Sequence, residues 1–177
     1  METVIRRVAE PEVDADTAAE LRELLRESFP DYPDRTYYKL PPHFRYLATV
    51  DGRLAGHLGG ELRVVRVGDE AVRLFGIVDV CVRQDARSHG LATRLLAEIT
   101  EYASTCGLDH LMLFADDDRL YTRAGWTHVD NRLSWVRIDE HATLGLATNE
   151  TVRALMVKTI GSRRWPAGDV DLLGHLF

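Results

Sequence analysis

Residues 74–99 read LFGIVDVCVRQDARSHGLATRLLAEI, an apolar strand followed by a short polar turn and an amphipathic helix. The turn, residues 87–92, contains Gly90 and the small Ala92, which let a ligand come close to the backbone. The first N–H groups of a helix have no partner inside it and attract anions. The stretch therefore predicts a site for a pyrophosphate. Its spacing, R-x-x-G-x-A, fits neither the ATP-binding loop nor the dinucleotide fingerprint.

The composition is that of a globular protein. With 177 residues, 45% hydrophobic and 28% charged, one domain over residues 1–177 is predicted. No apolar run approaches the ~20 residues that span a bilayer. The N-terminus lacks the apolar core of a signal peptide, so a cytoplasmic protein without a membrane partner is expected.

The net charge and the cysteine content indicate which classes of ligand are expected to bind this chain. The net charge of −6 argues against nucleic acid as the main partner and is compatible with a cationic small substrate. Two cysteines are too few for a disulfide framework, and no Cys/His spacing suggests a zinc site, so no metal is predicted.

Hydrophobic periodicity predicts an α/β protein with a mixed sheet. The predicted strands are 3–8, 45–50, 53–67, 71–82, 110–114, 126–129, 133–138, 155–160 and 170–177, and the predicted helices are 14–28, 92–104 and 116–124. Asp16-Thr17 is the expected N-cap region of the first helix, and residues 29–44 are a predicted loop. Because three antiparallel strands precede the polar turn, a doubly wound nucleotide fold is not expected.

Two motifs in this order resemble the GNAT superfamily of acyl-CoA-dependent N-acyltransferases. The family signature, Q/R-x-x-G-x-G/A at a strand-to-helix turn, is matched by residues 87–92. LYTRAGW, residues 120–126, is similar to the family's helix-borne tyrosine followed by glycine and an aromatic residue. The resemblance covers roughly residues 3–130. It implies the GNAT fold: a three-strand antiparallel meander, then βαβα, with splayed central strands.

Two branches of the superfamily look nearest. The aminoglycoside 2'-N-acetyltransferases share patterns like ADDDRLYTRAGW (115–126) and GHLGGELRVVRVG (56–68). The nodulation N-acyltransferases of chitooligosaccharides are similar through the latter pattern and the tail WPAGDVDLLGHLF (165–177). Both branches act on amino sugars. The chain departs from the common pattern at Gln84, where a proline often stands.

The resemblance implies acetyl-CoA as co-substrate and a small amine as acceptor. The turn would bind the pyrophosphate through its backbone, with Arg83 and Arg87 adding countercharge, and strand 77–82 would run beside the pantetheine arm. The N–H of Val80 or Cys81 would stabilise the oxyanion, whereas the Cys81 thiol is expected to be inert packing. The implied cofactor-binding residues are Val80, Cys81, Val82, Arg87, Ser88, His89, Gly90, Leu91 and Ala92.

Tyr121 is the candidate general acid. A tyrosine pKa near ~10 lies close to that of a departing thiol, so a tyrosine can donate a proton without severe tuning. The alternative is a tyrosine that packs the short helix.

Asp79 is the candidate general base, or it binds a cationic acceptor. An unpaired charge in an apolar strand costs folding free energy, so such a residue is expected to have a partner or a function. The alternative is a structural hydrogen bond or a salt bridge to an arginine. His57 lies among glycines that leave room for a ligand, or it is a structural histidine.

The loop and the C-terminus are expected to form the acceptor side of the site. Tyr37, Tyr38 and Phe44 present flat faces that suit sugar rings or alkyl amines, or they close the core. By resemblance, the last strand brings Asp171, His175 and the carboxylate of Phe177 near the acceptor. The predicted substrate-binding residues are Tyr37, Tyr38, His57, Asp79 and Phe177.

Other functions stay open at this stage. The chain is alternatively a non-catalytic acyl-CoA-binding regulatory module, or an N-acyltransferase with a longer acyl donor, for which the small Gly59 and Gly60 leave room. Peptide or protein acetylation is a further option. A homodimer through residues 133–160 is one expected assembly, since dimers are common among such relatives.

Overall fold

The computed structural model describes residues 2–87 and 89–177 and groups them into two compact units. The first unit holds the described residues of 1–61 and 78–99, and the second holds residues 62–77 and 100–177. The strands are β1 (Thr3–Ala9), β2 (Phe44–Val50), β3 (Arg53–Val67), β4 (Glu70–Val82), β5 (His110–Phe114), β6 (Thr127–His128), β7 (Arg132–Asp139), β8 (Ala142–Thr151), β9 (Leu155–Thr159) and β10 (Val170–His175). The helices are α1 (Ala15–Ser28), α2 (Leu91–Thr105) and α3 (Arg119–Arg123), with single 3-10 turns at Glu10–Glu12 and Gln84–Ala86.

In the first unit, β1, β2 and the first half of β3 pair antiparallel. The β2–β3 hairpin turns at Asp51-Gly52, as predicted, and both residues have positive φ, 48° and 78°. Such angles match the twist of the flanking strands in a two-residue hairpin. Helix α1 packs its buried face against this sheet in a cluster with Val8 and Leu47. The leucines predicted for that face are buried: Leu21, Leu24 and Leu25.

The N-cap of α1 is Asp14, not the predicted Asp16-Thr17 region. Asp14 has the extended backbone of a cap (φ −73°, ψ 168°), and its carboxylate accepts the Thr17 amide at 2.7 Å. Such a bond satisfies one of the orphan amides of the first turn. The cap therefore lies two residues before the predicted cap region, because the side chain three residues ahead of Thr17 reaches its N–H.

In the second unit the strand order is β6-β9-β5-β4-β3-β10-β7-β8. The pairs β4–β5 and β7–β10 are parallel, and β5–β9, β3–β10 and β7–β8 are antiparallel. The prediction of a mixed α/β sheet is confirmed. The β4–β5 ladder covers Leu74–Ile77 and ends there, while β4 itself continues to Val82.

Several predicted elements were wrong in extent, and one strand was missed. β8 was not predicted, because Gly145, Asn149 and scattered polar residues hide any alternation; its pairing with β7 makes it a strand. The strand predicted over 126–129 shrinks to β6. The helix predicted over 116–124 begins at Arg119, since the Asp117 carboxylate bonds the Arg119 amide and guanidinium instead. Within the described residues, no helix is long and apolar enough to cross a bilayer.

Candidate active site

The second half of β4 contains a partly open segment between buried residues. Leu74–Ile77 and Cys81–Val82 are buried, whereas Val78, Asp79 and Val80 between them are half-buried. A segment of strand that is partly accessible inside an apolar run can be reached by a ligand, which would pair with backbone groups that the sheet leaves unbonded. We call residues 78–80 the β4 window.

Asp79 has an unusual backbone within this window. Its φ is +52°, a left-handed conformation that few residues other than glycine adopt within a strand. Its carboxylate oxygen Oδ2 accepts a hydrogen bond from the Tyr32 hydroxyl at 2.7 Å. Burial raises the pKa of Asp79, while the bond from Tyr32 and the charge of Arg45 oppose that shift. The carboxyl group is therefore better suited to accepting a proton than an exposed aspartate is.

His57 supports Asp79 from the neighbouring strand. It is fully buried, with Nδ1 2.8 Å from the Asp79 carbonyl oxygen and Nε2 3.0 Å from Nη1 of Arg45. A carbonyl can only accept and a guanidinium can only donate, so Nδ1 carries the hydrogen and Nε2 is a bare acceptor. Burial, followed by the Arg45 charge, lowers the pKa of His57 to about 3. The ring is neutral at physiological pH.

Arg45 anchors this buried group of charges. Its guanidinium is inaccessible and makes two hydrogen bonds to the Glu10 carboxylate, one of them 2.9 Å long. A third bond, 2.8 Å, goes to the Thr36 carbonyl. A buried charge survives only when it is paired and hydrogen-bonded, and Arg45 meets both conditions. The chain Glu10–Arg45–His57 thus ends on the main chain of Asp79.

Cys81 is the next inward-facing group on β4. The thiol is buried among apolar side chains of the first unit, and burial raises its pKa to about 12. A thiol in that state is no nucleophile at neutral pH. This supports the expectation that the Cys81 side chain is packing, and it leaves the backbone amides of Val80 and Cys81 as the chemically relevant groups. Their role in the reaction stays a prediction.

The predicted pyrophosphate turn joins β4 to α2. Gly90 has φ +71°, and a side chain added there would meet nothing within 4 Å. The first backbone bond inside the helix runs from the Arg94 amide to the Gly90 carbonyl at 3.0 Å. The N–H groups of Leu91, Ala92 and Thr93 precede that bond and point out of the helix start. Exposed backbone, positive φ and a helix start are therefore combined at one place.

The side chains around this turn are engaged to different degrees. Arg87 is exposed and bonds the Val82 carbonyl through Nε at 3.1 Å. His89 is exposed and contacts the Arg87 carbonyl, whereas Leu91 is buried and fixes the helix start. Arg83 bonds the Leu54 carbonyl and Asp85, so the countercharge expected from it is already matched within the protein. The predicted Ser88 lies outside the described residues.

Tyr37 and Tyr38 lie in the loop between α1 and β2, and Arg35 holds that loop. Its guanidinium donates to the carbonyls of Tyr37 and Tyr38 at 3.0 and 2.6 Å. The Tyr38 ring is 54% exposed and lies 5.7 Å from the ring of Tyr32. The ring of Tyr38 thus lies beside the partner of Asp79, and its contact with an acceptor stays a prediction.

Gly59 and Gly60 do not provide the space expected for a longer acyl chain. A Cβ on Gly59 would lie 2.6 Å from the Val78 side chain, and one on Gly60 would lie 2.3 Å from the Phe44 ring. Those side chains already fill the volume beside both glycines. Phe44 is itself buried, so of the two expectations for this aromatic residue, the core role is the one observed.

Tyr121 and Phe177 belong to the second unit. Tyr121 lies in α3, and its half-buried ring meets the buried Trp126 edge-on at 6.2 Å. The Phe177 ring packs against Phe114 at 5.4 Å and over Gly76, where an added Cβ would be 2.7 Å away. The Phe177 side chain is thus engaged in packing. The catalytic role of Tyr121 and the acceptor role of the Phe177 carboxylate stay predictions.

Sequence reasoning missed three members of the buried group: Tyr32, Arg45 and Glu10. A signal for one of them exists, since Arg45 lies in the apolar strand FRYLATV just as Asp79 lies in LFGIVDVCV. Two opposite charges in two apolar strands of one meander point to a shared buried network. Tyr32 gives no such signal, because an aromatic residue in a loop has many uses.

Comparison with known proteins identifies a family and a shared fold. The acetyltransferase (GNAT) family matches residues 15–126, more than half of the chain. No curated protein matches the sequence. The solved structures that are similar to this chain are less than a quarter identical to it in the cases below, so they speak to the fold alone.

YhbS, a GNAT family N-acetyltransferase from Escherichia coli in complex with CoA, is 22% identical over 96% of this chain and 89% of its own, with a TM-score of 0.68. A GNAT family acetyltransferase from Brucella melitensis in complex with acetyl-CoA is 19% identical, with 96% and 94% of the two chains covered and a TM-score of 0.62. Eis1 from Mycobacterium abscessus is 16% identical over 75% of this chain, with a TM-score of 0.60, and this chain spans only 33% of its length.

Proposed function

This chain belongs to the acetyltransferase (GNAT) family, and from that premise we propose that it moves an acetyl group from acetyl-CoA to a primary amine of a small acceptor. An amino sugar or aminoglycoside is the first candidate acceptor. The observation that carries the proposal is the strand-turn-helix of residues 78–94, in which Gly90 at φ +71° exposes the start of α2. CoA and acetyl-CoA in the complexes of YhbS and the Brucella enzyme support the choice of donor.

The turn would hold coenzyme A through its backbone. The N–H groups at the start of α2 suit pyrophosphate oxygens, because the helix dipole and the unpaired donors both favour an anion. Arg87, exposed beside the turn, would add a positive charge. His89 and its neighbour Ser88, which lies outside the described residues, remain part of the proposed set on the strength of the motif.

The β4 window would position the thioester. Val78, Asp79 and Val80 are half-buried between buried residues of β4, so a pantetheine arm running alongside would meet backbone donors and acceptors there. An N–H of Val80 or Cys81 directed at the thioester oxygen would stabilise the negative charge that develops on it. Val82 is buried and would act through its main chain only.

The proton balance assigns one residue to each transfer. The amine nitrogen attacks the carbonyl carbon as the C–S bond breaks, Asp79 accepts the proton that the amine loses, and Tyr121 donates one to the departing thiolate. The half-buried carboxylate of Asp79, with its raised pKa, supports the first assignment. The sequence motif supports the second.

The acceptor would lie against Tyr37 and Tyr38, with Asp79 attracting its ammonium form before the proton is lost. The exposed ring of Tyr38 supports this placement. His57 is fully buried beneath Asp79, so its contribution to acceptor binding would be indirect. The Phe177 carboxylate is retained as a candidate contact on the basis of the resemblance.

A thiol-release assay tests the proposal. The purified chain is mixed with acetyl-CoA and, separately, glucosamine, kanamycin, spermidine and a peptide with a free N-terminus, and free thiol is followed. Calorimetry with coenzyme A measures binding independently. Binding of coenzyme A together with amine-dependent thiol release supports the enzyme. Binding without thiol release identifies a regulatory binder. If coenzyme A does not bind at all, the proposal is overturned.

A longer donor is tested in the same assay with octanoyl-CoA in place of acetyl-CoA. Acetyl-CoA is expected to be used faster, because Val78 and Phe44 occupy the space beside Gly59 and Gly60. Faster release from octanoyl-CoA would assign the chain to the longer-chain alternative.

We also propose that two copies of the chain associate through β8. This strand ends the strand order of the second unit, and residues 142–149 carry no charge. Leu144 and Leu146 are 55% and 66% exposed. Monomeric proteins normally protect such an edge with lysine, proline or a covering segment, and an uncharged strand can pair with its own copy.

A cytoplasmic location stays a prediction from the sequence.

A further inference from the structure

Tyr32 is the residue in direct contact with the proposed base. Its hydroxyl donates to Oδ2 of Asp79 at 2.7 Å, across 47 positions of sequence. We propose that Tyr32 is a positioning residue that holds the Asp79 carboxylate charged and in one orientation, ready to take the proton of the acceptor amine. The inference rests on the proposed function, and it names a partner that the family motifs do not contain.

Tyr32 is itself immobilised by its surroundings. The side chain is 8% exposed, and its ring lies 5.7 Å from the rings of Phe29 and Tyr38. Burial, together with the negative charge of Asp79, raises the pKa of Tyr32 far above that of a free tyrosine. The phenol therefore stays protonated across the working range and acts as the donor toward the Asp79 carboxylate.

The groups that face Asp79 come from four elements. Tyr32 approaches from the loop after α1, Arg45 from β2, and His57 and Glu61 from β3, while Cys81 follows on β4. Glu61 and burial disfavour the charged carboxylate, and Tyr32 and Arg45 favour it. The charge of Arg45 is shared with Glu10, so the bond from Tyr32 is the direct contact that stabilises the anion.

Two restraints act on Asp79 at once. The bond from His57 Nδ1 to its carbonyl holds the main chain, whose φ of +52° is costly for an aspartate. The bond from Tyr32 holds the side chain. An aspartate that only filled space would require neither, whereas a base must keep its carboxylate within a short reach of the proton it abstracts.

The test is Tyr32→Phe, which keeps the ring and removes the hydroxyl. Without the hydrogen bond the carboxylate is less stable, so the midpoint of Asp79 should rise by about one pH unit or more. That midpoint is read from the ¹³C signal of the Asp79 carboxyl carbon, identified by its loss in Asp79→Asn. The acidic limb of kcat/KM, measured with acetyl-CoA and the fastest amine of the panel above, should move to higher pH by the same amount, with activity regained in alkali.

Tyr46→Phe is the matched control. Tyr46 is 4% exposed, and its hydroxyl bonds the Glu98 carbonyl at 3.3 Å. This variant also loses a buried hydroxyl in the first unit, yet it should leave the Asp79 midpoint and the acidic limb unchanged.

Failure of the inference is distinct from failure of the function. An unmoved Asp79 midpoint in Tyr32→Phe overturns the inference whatever the acceptor. Thiol release whose acidic limb stays in place in Tyr32→Phe also overturns the role of Tyr32, while the enzyme stands. Absence of thiol release by the unmodified chain at every pH overturns the proposed function, and with it any part of Tyr32 in the reaction.

Discussion

At the scale of single residues, Asp79 shows how its surroundings shift the protonation of a carboxyl group in a strand. Burying its carboxylate without a partner in an apolar strand would cost roughly several kcal/mol of folding free energy. The Tyr32 hydroxyl at 2.7 Å and the nearby Arg45 reduce that cost without removing the upward shift in its pKa. A group balanced in this way changes its protonation state more readily near neutral pH than an exposed aspartate does.

His57 makes stability depend on pH. Its pKa is about 3 in the folded protein against 6.5 for a free histidine, so acid protonates the unfolded chain first and favours unfolding. The contribution of neutral His57 to the free energy of unfolding is complete above pH 6.5. It is lost as the pH falls toward 3, by up to about 1.4 kcal/mol per pH unit. Urea unfolding at pH 7 and pH 5 should show a smaller loss for His57→Asn than for the unmodified chain. Equal losses would contradict the neutral, buried ring.

Tyr121→Phe tests the proposed acid. Loss of the phenol removes the proton donor for the thiolate, so kcat should fall about 100-fold or more. Coenzyme A affinity, measured by calorimetry, should not change, because the turn that would bind it is formed by other residues. Retention of full activity would remove Tyr121 from the mechanism, and a parallel loss of affinity would indicate a structural role.

At the scale of secondary structure elements, the junction of β4 and α2 combines two requirements. The 3-10 turn Gln84–Ala86 follows the end of the strand, and Gly90, at φ +71°, immediately precedes the helix. Leu91 is buried and fixes the helix, while Arg87, His89 and Gly90 are exposed. The predicted anion site would thus depend on how one element ends and the next begins.

Gly90→Ala tests that junction. A side chain at positive φ costs about 1 kcal/mol and shifts the turn, so coenzyme A affinity should fall about tenfold. Gly107→Ala is the control, since Gly107 has φ +67° and equally open surroundings. It should lose similar stability with unchanged affinity. Equal affinity in both variants would contradict the backbone site at the turn.

At the scale of the whole molecule, the exposed edge at β8 bears on assembly. All residues of β8 except Ala147 are exposed, and β7 pairs along one side of the strand. A net charge of −6 keeps copies apart in general, but none of that charge lies within residues 142–149. Association through this strand would be a two-fold, isologous contact.

Leu146→Glu should produce a monomer. A carboxylate at the centre of β8 would be buried without a partner in the dimer, which disfavours association. Sedimentation velocity of the unmodified chain should give a dimer, and the variant should sediment at half the mass with an unchanged circular dichroism spectrum. Val64→Glu is the control, because Val64 is 47% exposed on β3 and lies outside β8. A dimer that survives Leu146→Glu would place the interface elsewhere.

The amino-acid sequence by itself determined the mixed sheet, the strand-turn-helix and the family. These features are local: periodicity marks the strands, Asp51-Gly52 marks a hairpin, and Gly90 with its neighbours marks a helix start. Each is specified by residues that are close together in the chain. The predicted positions of the α1 cap and of the start of α3 were wrong by a few residues, because neighbouring side chains compete for the same amide groups.

Only the tertiary structure decided what surrounds Asp79, what occupies the space beside Gly59 and Gly60, and that residues 142–151 form a strand. Tyr32 and Asp79 are 47 residues apart, and Arg45 meets both Glu10 and His57 from yet another strand. Such contacts depend on packing and pairing between distant segments, whose free energy is small per contact and unmarked by local pattern. The local sequence predicts the turn between β4 and α2, whereas the contacts of the proposed base form only when distant segments of the chain fold together.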